Sequence, residues 1–263
     1  MRGVSLVTGS VAVWAASLAA VGLASAIPLV ATGYLARRPP LTARLVPRLI
    51  VLASGALLGA AVFHLIPEAS KEAAPGRVAL LVGLGALALA LLERVIHWLE
   101  HPSATAAPHS AHGHAGHLMP MGIVSDALHN TIDGALIATA FLTNPSLGMF
   151  AGAAIALHEL PRELGTFALC VDAGMSPKRA ILINAGTGVL ALLGAAAALL
   201  VGADARRFGA LLLPFAAGNF LYLSGAILAA ERGRPSTSGG AKQRALLFAT
   251  GLVATALLAG GGH

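Results

Sequence analysis

The sequence predicts an all-α integral membrane protein of eight transmembrane helices. Three observations carry that prediction. First, 57% of the 263 residues are hydrophobic and only 11% are charged, whereas a water-soluble domain carries about 25% charged residues. Second, the mean hydropathy is +0.80. Third, the apolar residues fall into eight runs, each near the roughly 20 residues that cross a bilayer as helix. A single transmembrane domain over residues 1–263 is expected, with the lipid bilayer as its surroundings.

Residues 3–36 carry no charge and form the first span, with a kink expected at Pro28. The run is too long for the apolar part of a signal peptide and has no persuasive cleavage site, so it reads as a retained helix. The second span covers about 46–68 and ends in "FHLIPEA"; the third covers about 77–99. Residues 101–117, "HPSATAAPHSAHGHAGH", read as a flexible His-rich loop. The fourth span, about 120–143, holds "HNTIDG", and the fifth, about 146–171, holds "HELPRE". The sixth, seventh and eighth cover about 179–202, 207–230 and 244–262, with a polar linker at 232–243 before the last.

The net charge of +6 is no sign of nucleic-acid binding here, because the basic residues sort by loop. Of 17 Lys and Arg, eleven sit in the loops after odd-numbered spans: Arg37, Arg38, Arg44, Arg48, Arg94, Lys178, Arg179, Arg232, Arg234, Lys242 and Arg244. Five sit on the other side (Arg2, Lys71, Arg77, Arg206, Arg207), and Arg162 lies within a span. The excess of positive charge marks the cytoplasmic side. Both termini are therefore expected outside and the His-rich loop inside. Cys170 stands alone, which excludes an internal disulfide and a Cys-rich zinc site. Short loops point to a bacterial inner membrane.

Ionisable groups at membrane depth cost roughly 2.5–3.5 kcal/mol each on insertion scales and persist where they face a cavity or one another. They gather in three spans. In the fourth, His129 and Asp133 share one helix face, with Asn130 beside it and Asp126 a turn earlier. In the fifth, His158 and Arg162 are four apart, as are Glu159 and Glu163, around Pro161. Pro161 frees the carbonyl of Leu157, which is tolerated at membrane depth where that carbonyl faces protein or a cavity. Imidazole, carboxylate and amide oxygen without thiolate suit zinc, iron, manganese and similar divalent ions. In the second span His64 and Glu68 form a further pair near the outer end, an entrance site or a pair of interfacial groups. His109, His112, His114 and His117 read as weak metal ligands in the loop or as a solvated low-complexity segment. Met119, Met121, Asn219 and Tyr222 read as packing groups.

These segments resemble the ZIP (Zrt/Irt-like) metal transporters. "HNTIDGALIATAF" and "HELPRELGTFALCVDAG" are similar to the family's HNxxDG and HExPHELGDFA; "SGALLGAAVFHLIPEA" and "AAGNFLYLSGAILAAE" resemble its second- and seventh-helix segments. The match covers most of the chain in the right order. The resemblance implies helices 1–3 and 6–8 as an inverted repeat around helices 4 and 5. It implies a mid-membrane metal site, often binuclear, and movement of a divalent ion, zinc first with Fe2+, Mn2+ and Cd2+ as alternatives, into the cytoplasm. Carried over by position, His129, Asn130, Asp133, His158 and Glu159 are ligands, Glu163 lies nearby, and Glu231 falls where a ligand of the second metal stands. No organic cofactor is implied; dimerisation is left open.

Four departures bear on that reading. Arg162 stands where the family has a metal-binding His, Glu or Gln, and a guanidinium has five donors, no acceptor and a permanent charge. Its simplest role is to replace the second metal's charge, paired with Glu159 or Asp133; a harsher one is to repel the cation. Ala60, Thr166 and Ala230 replace a family Asp, Asp and Pro. The enzyme alternative, an intramembrane metalloprotease, fails because HExxH needs His at position 162. A non-transporting metal sensor and a transporter of another solute remain as alternatives.

Overall fold

The computed structural model describes residues 10–100, 112–202, 205–232 and 238–260. Among them the chain is helical nearly throughout, in eight helices: α1 (Val11–Ala36), α2 (Pro39–Glu72), α3 (Pro75–Glu100), α4 (His112–Thr143), α5 (Pro145–Asp172), α6 (Pro177–Val201), α7 (Ala205–Arg232) and α8 (Ser238–Gly260). Each is at least 23 residues long, enough to cross a bilayer. Five of the eight also meet a strict apolar criterion over a long window. Large apolar side chains such as Leu23, Val30, Leu80, Leu87, Leu182 and Leu257 are exposed on outward faces, which suits hydrocarbon and not water. The chain is an integral membrane protein.

Local chemistry explains the boundaries. Ser10 caps α1, its hydroxyl accepting from the Val13 amide. Pro28 stays inside α1, where the Thr32 hydroxyl donates to its carbonyl at 3.1 Å. In α2 the backbone widens into a π-helical turn over Ala61–Leu65, just before Pro67. Pro67 cannot donate to the carbonyl four residues back, and a wider turn is a common way to absorb that defect. Asn144 caps α5, accepting from the Ser146 amide at 2.8 Å, so α4 and α5 form a tight antiparallel pair. Gly174, at φ +88°, stops α5 just past its C-cap in a conformation that favours glycine. One expectation changes here: α4 begins at His112, so residues 112–117 are helical backbone and not loop, while residues 101–111, with His109, lie outside the described residues.

Two groups of helices are visible in the packing. Helices α1, α4, α5 and α6 pack on one another, as do α2, α3, α7 and α8, and the groups meet through α2 on α5 and α4 on α7. The α4–α6 contact is backbone to backbone: a Cβ at Gly194 would lie 2.8 Å from the carbonyl carbon of Thr131, and one at Gly134 2.6 Å from that of Ala191. Small residues that admit such approach are a main source of helix association in membranes. Gly194→Leu is expected to separate the helices, costing about 1–3 kcal/mol or more, read as a lower melting temperature of the detergent-purified protein; an unchanged temperature would contradict the close contact.

Candidate metal centre

Two stripes of polar side chains face each other where α4 and α5 cross. Asp126, His129, Asn130 and Asp133 follow i, i+3, i+4, i+7 on α4, and Glu159, Arg162, Glu163 and Thr166 follow the same spacing on α5. That spacing holds one face of a helix. All eight are buried. Phe220 of α7 closes a third side, its ring centroid 4.6 Å from that of His129.

At the end of the stripe nearer Asp133, ligand atoms of His129, Asp133 and Glu159 all lie within 4.8 Å of one another. His129 Nε2 is 3.3 Å from Asp133 Oδ2 and 3.8 Å from Glu159 Oε1. One imidazole nitrogen and two carboxylates converging on a point are the donor set of a divalent transition ion. His158 is on α5 beside Glu159, and its side chain lies outside the described residues.

At the other end stands Arg162. Its Nε donates to Glu159 Oε1 at 3.0 Å, and its Nη2 to Glu159 Oε2. Nη1 donates to Asp126 Oδ1, and Nη2 reaches Glu163 Oε1 at 3.4 Å. The guanidinium thus faces three carboxylates. The expected pair with Glu159 forms, and Asp126, two helical turns before Asp133 on α4, is a further partner. Asn130 Nδ2 ties the two halves, donating to Glu163 Oε1 at 2.9 Å and to Asp126 Oδ2 at 3.4 Å. Thr166 donates to Asp126 Oδ1 at 3.2 Å.

The remaining candidates separate. Glu231 is buried near the end of α7, one helical turn beyond Ile227, which lines a small void together with Asp126 and Arg162. Glu68 pairs with Lys71 at 2.7 Å and lines, together with Glu72, a cavity of about 550 Å³ that reaches Ile132, Thr139, Ala198 and Leu213. His64 is half-buried on the π-helical turn and does not line that cavity. The side chains of His112, His114 and His117 lie outside the described residues. On the opposite side of the cluster, between Leu57, Asp126, Arg162 and Ile227, the helices leave a void of only about 10 Å³.

Asp126, which the helical spacing sets a turn before His129, takes a larger part than a neighbour of the ligands, since it accepts from Arg162, Asn130 and Thr166. Asn184 is absent from the sequence-derived site. Asn184 of α6 donates to the main-chain carbonyl of Glu163 at 3.0 Å; a lone amide in an apolar helix was the only hint of it.

The ZIP Zinc transporter family model matches residues 119–259, just over half of the chain and all of the cluster. Zinc transporter ZIP6 of Homo sapiens is 40% identical over 104 residues, which are 40% of this chain and 14% of that protein. Zinc transporter ZIP4 of Mus musculus is 40% identical over 101 residues, 38% of this chain and 15% of the relative. Zinc transporter foi of Drosophila melanogaster is 39% identical over 104 residues, covering 40% and 15%. The matched stretch is thus a small part of each of these longer relatives. All three are eukaryotic and lend nothing to the expected bacterial membrane.

Proposed function

The chain belongs to the ZIP zinc transporter family, and on that premise we propose that it carries a divalent metal ion, zinc first, across the membrane into the cytoplasm. The observation that carries the reading is the buried triad of His129, Asp133 and Glu159, with ligand atoms within 4.8 Å. His158 and the amide oxygen of Asn130 complete the shell; the Asn130 nitrogen is already committed to Glu163 and Asp126. The site takes one ion. Of the four buried carboxylates, Asp133 and Glu159 belong to the triad, and Asp126 and Glu163 lie against Arg162. The permanent charge of Arg162 stands where a second metal's charge would otherwise be needed. This charge balance favours a transporter over an enzyme or a sensor that arginine has disabled.

The path follows from the cavity. Glu68, Glu72 and Thr143 line it, as does Ile132, the residue before Asp133. Glu68, Glu72 and Thr143 lie at the ends of α2 and α4 that the basic-residue asymmetry assigns to the outside. Access from outside is one half of an alternating-access cycle; toward the ends of α3 and α7 assigned to the cytoplasm, a second cavity of about 530 Å³ is lined by Glu93, Leu118, Tyr222 and Ala230. The helix contacts support an inverted repeat: α2 on α8 corresponds to α7 on α3, α1 on α5 to α6 on α4, and α2 on α5 to α7 on α4.

The orientation is tested with a cysteine at position 139 in a chain whose single native cysteine, buried Cys170, is replaced by alanine. A membrane-impermeant thiol reagent added outside intact cells should label Thr139→Cys, and zinc-depleted cells expressing the chain should accumulate zinc faster than vector controls. Labelling only from the cytoplasmic side, or zinc-loaded cells losing zinc faster, would overturn the assigned direction.

A further inference from the structure

Glu159 answers to two cations. Its Oε1 belongs to the triad and is also 3.0 Å from Arg162 Nε, while Oε2 accepts from Nη2 of the same guanidinium. A bidentate fork of this kind is the strongest hold an arginine has on a carboxylate. An arriving metal ion therefore meets a ligand already engaged. The guanidinium also has somewhere else to go. Asp126 accepts from Nη1, and Glu163 lies 3.4 Å from Nη2. Both acceptors are held in place independently of Arg162, Asp126 by Thr166 and both by Asn130.

We infer that Arg162 is a tethered competitor of the transported ion: it occupies Glu159 when the site is empty and is drawn onto Asp126 and Glu163 when the ion arrives, with Asp126 as the residue that positions it. This rests on the single-ion reading and goes beyond it. The exchange keeps Glu159 neutralised at both ends of the cycle without a second diffusible cation. It also limits the affinity for the ion, which suits a carrier that must release what it binds. Lysine at 162 would keep the charge and lose the fork.

The test is zinc binding to the purified full-length protein in detergent, measured by calorimetry for stoichiometry and affinity. Wild type should bind one zinc ion per chain. Arg162→Lys should bind one ion about tenfold tighter. Asp126→Asn, which removes the alternative seat of the guanidinium, should bind one ion about tenfold more weakly. Asp126 is also simply one negative charge near a cation, and the double variant separates the two roles. In an Arg162→Gln background, Asp126→Asn should leave the tighter-binding ion's affinity unchanged and affect only a second, newly admitted ion. Equal weakening in both backgrounds would overturn the exchange and reduce Asp126 to a distant charge. Two ions bound to wild type would instead overturn the single-ion reading. Melting temperatures measured on the same samples without zinc confirm that each variant is folded; if Asp126→Asn unfolds, Asp126→Glu, which keeps the charge but crowds Nη1, should weaken binding by a smaller factor, and unchanged binding there counts against the proposal.

Discussion

Alanine in place of Asp133 is expected to reduce saturable zinc uptake at least 100-fold while leaving the protein folded in the membrane. The triad is held by an imidazole on the same helix face and a carboxylate from the neighbouring helix. Changes to groups that merely orient a metal ligand already reduce affinity 10–100-fold, and loss of a ligand should do at least as much. Asp133 is the ligand of choice for this test because the guanidinium's hydrogen bonds go to Asp126, Glu159 and Glu163, all of which the variant retains. His129→Ala should match the loss of uptake but disturb the fold more, since the imidazole is fully buried against Phe220. Uptake is measured per unit of purified protein, with melting temperature as the control. Flux within a factor of two of wild type in Asp133→Ala would remove the triad from the transport path.

Alanine in place of Arg162 is expected to have the largest effect on stability. It leaves Asp126, Glu159 and Glu163 facing one another in a buried site without their counter-charge. Removing one partner of a buried ion pair typically costs about 3–5 kcal/mol, most of it the penalty of the charges left behind. The variant should therefore melt well below wild type in the presence of a chelator. Divalent cation should restore much of the loss. An ion that binds only the folded state at 100 times its dissociation constant adds about 2.7 kcal/mol, and the three freed carboxylates give it oxygen ligands. Wild type, with the position already filled by its own cation, should gain less from the same zinc. A variant as stable as wild type in chelator would mean that Arg162 contributes no charge compensation.

The two site helices were legible because buried charge is expensive. Two His, two Asp, two Glu and an Arg inside apolar runs have few explanations in a membrane, and the 3.6-residue period places them on faces. Which face meets which was not legible. The Arg162–Asp126 contact spans 36 residues, and spacing within one helix says nothing of the rotation of its neighbour; Asp133 was therefore as good a partner on paper. Asn184 shows the same limit, since its role depends on α6 lying against α5 at Glu163. Helix ends were blurred where polar residues continue a helix beyond its apolar part: α4 runs back to His112 through Gly and His that composition marked as loop. At the outer end, Glu72 lines the cavity beside Glu68, one helical turn past the residues that the motif marks.

The account stands on a single ion moving through a site that contains a permanent cation. Its most direct test is uptake of radioactive zinc into proteoliposomes holding the purified wild-type chain, compared with Arg162→His. Saturable flux through wild type is the predicted result, with Arg162→His binding a second ion. No flux through wild type, restored by Arg162→His, would show that the arginine closes the pathway and contradict the account.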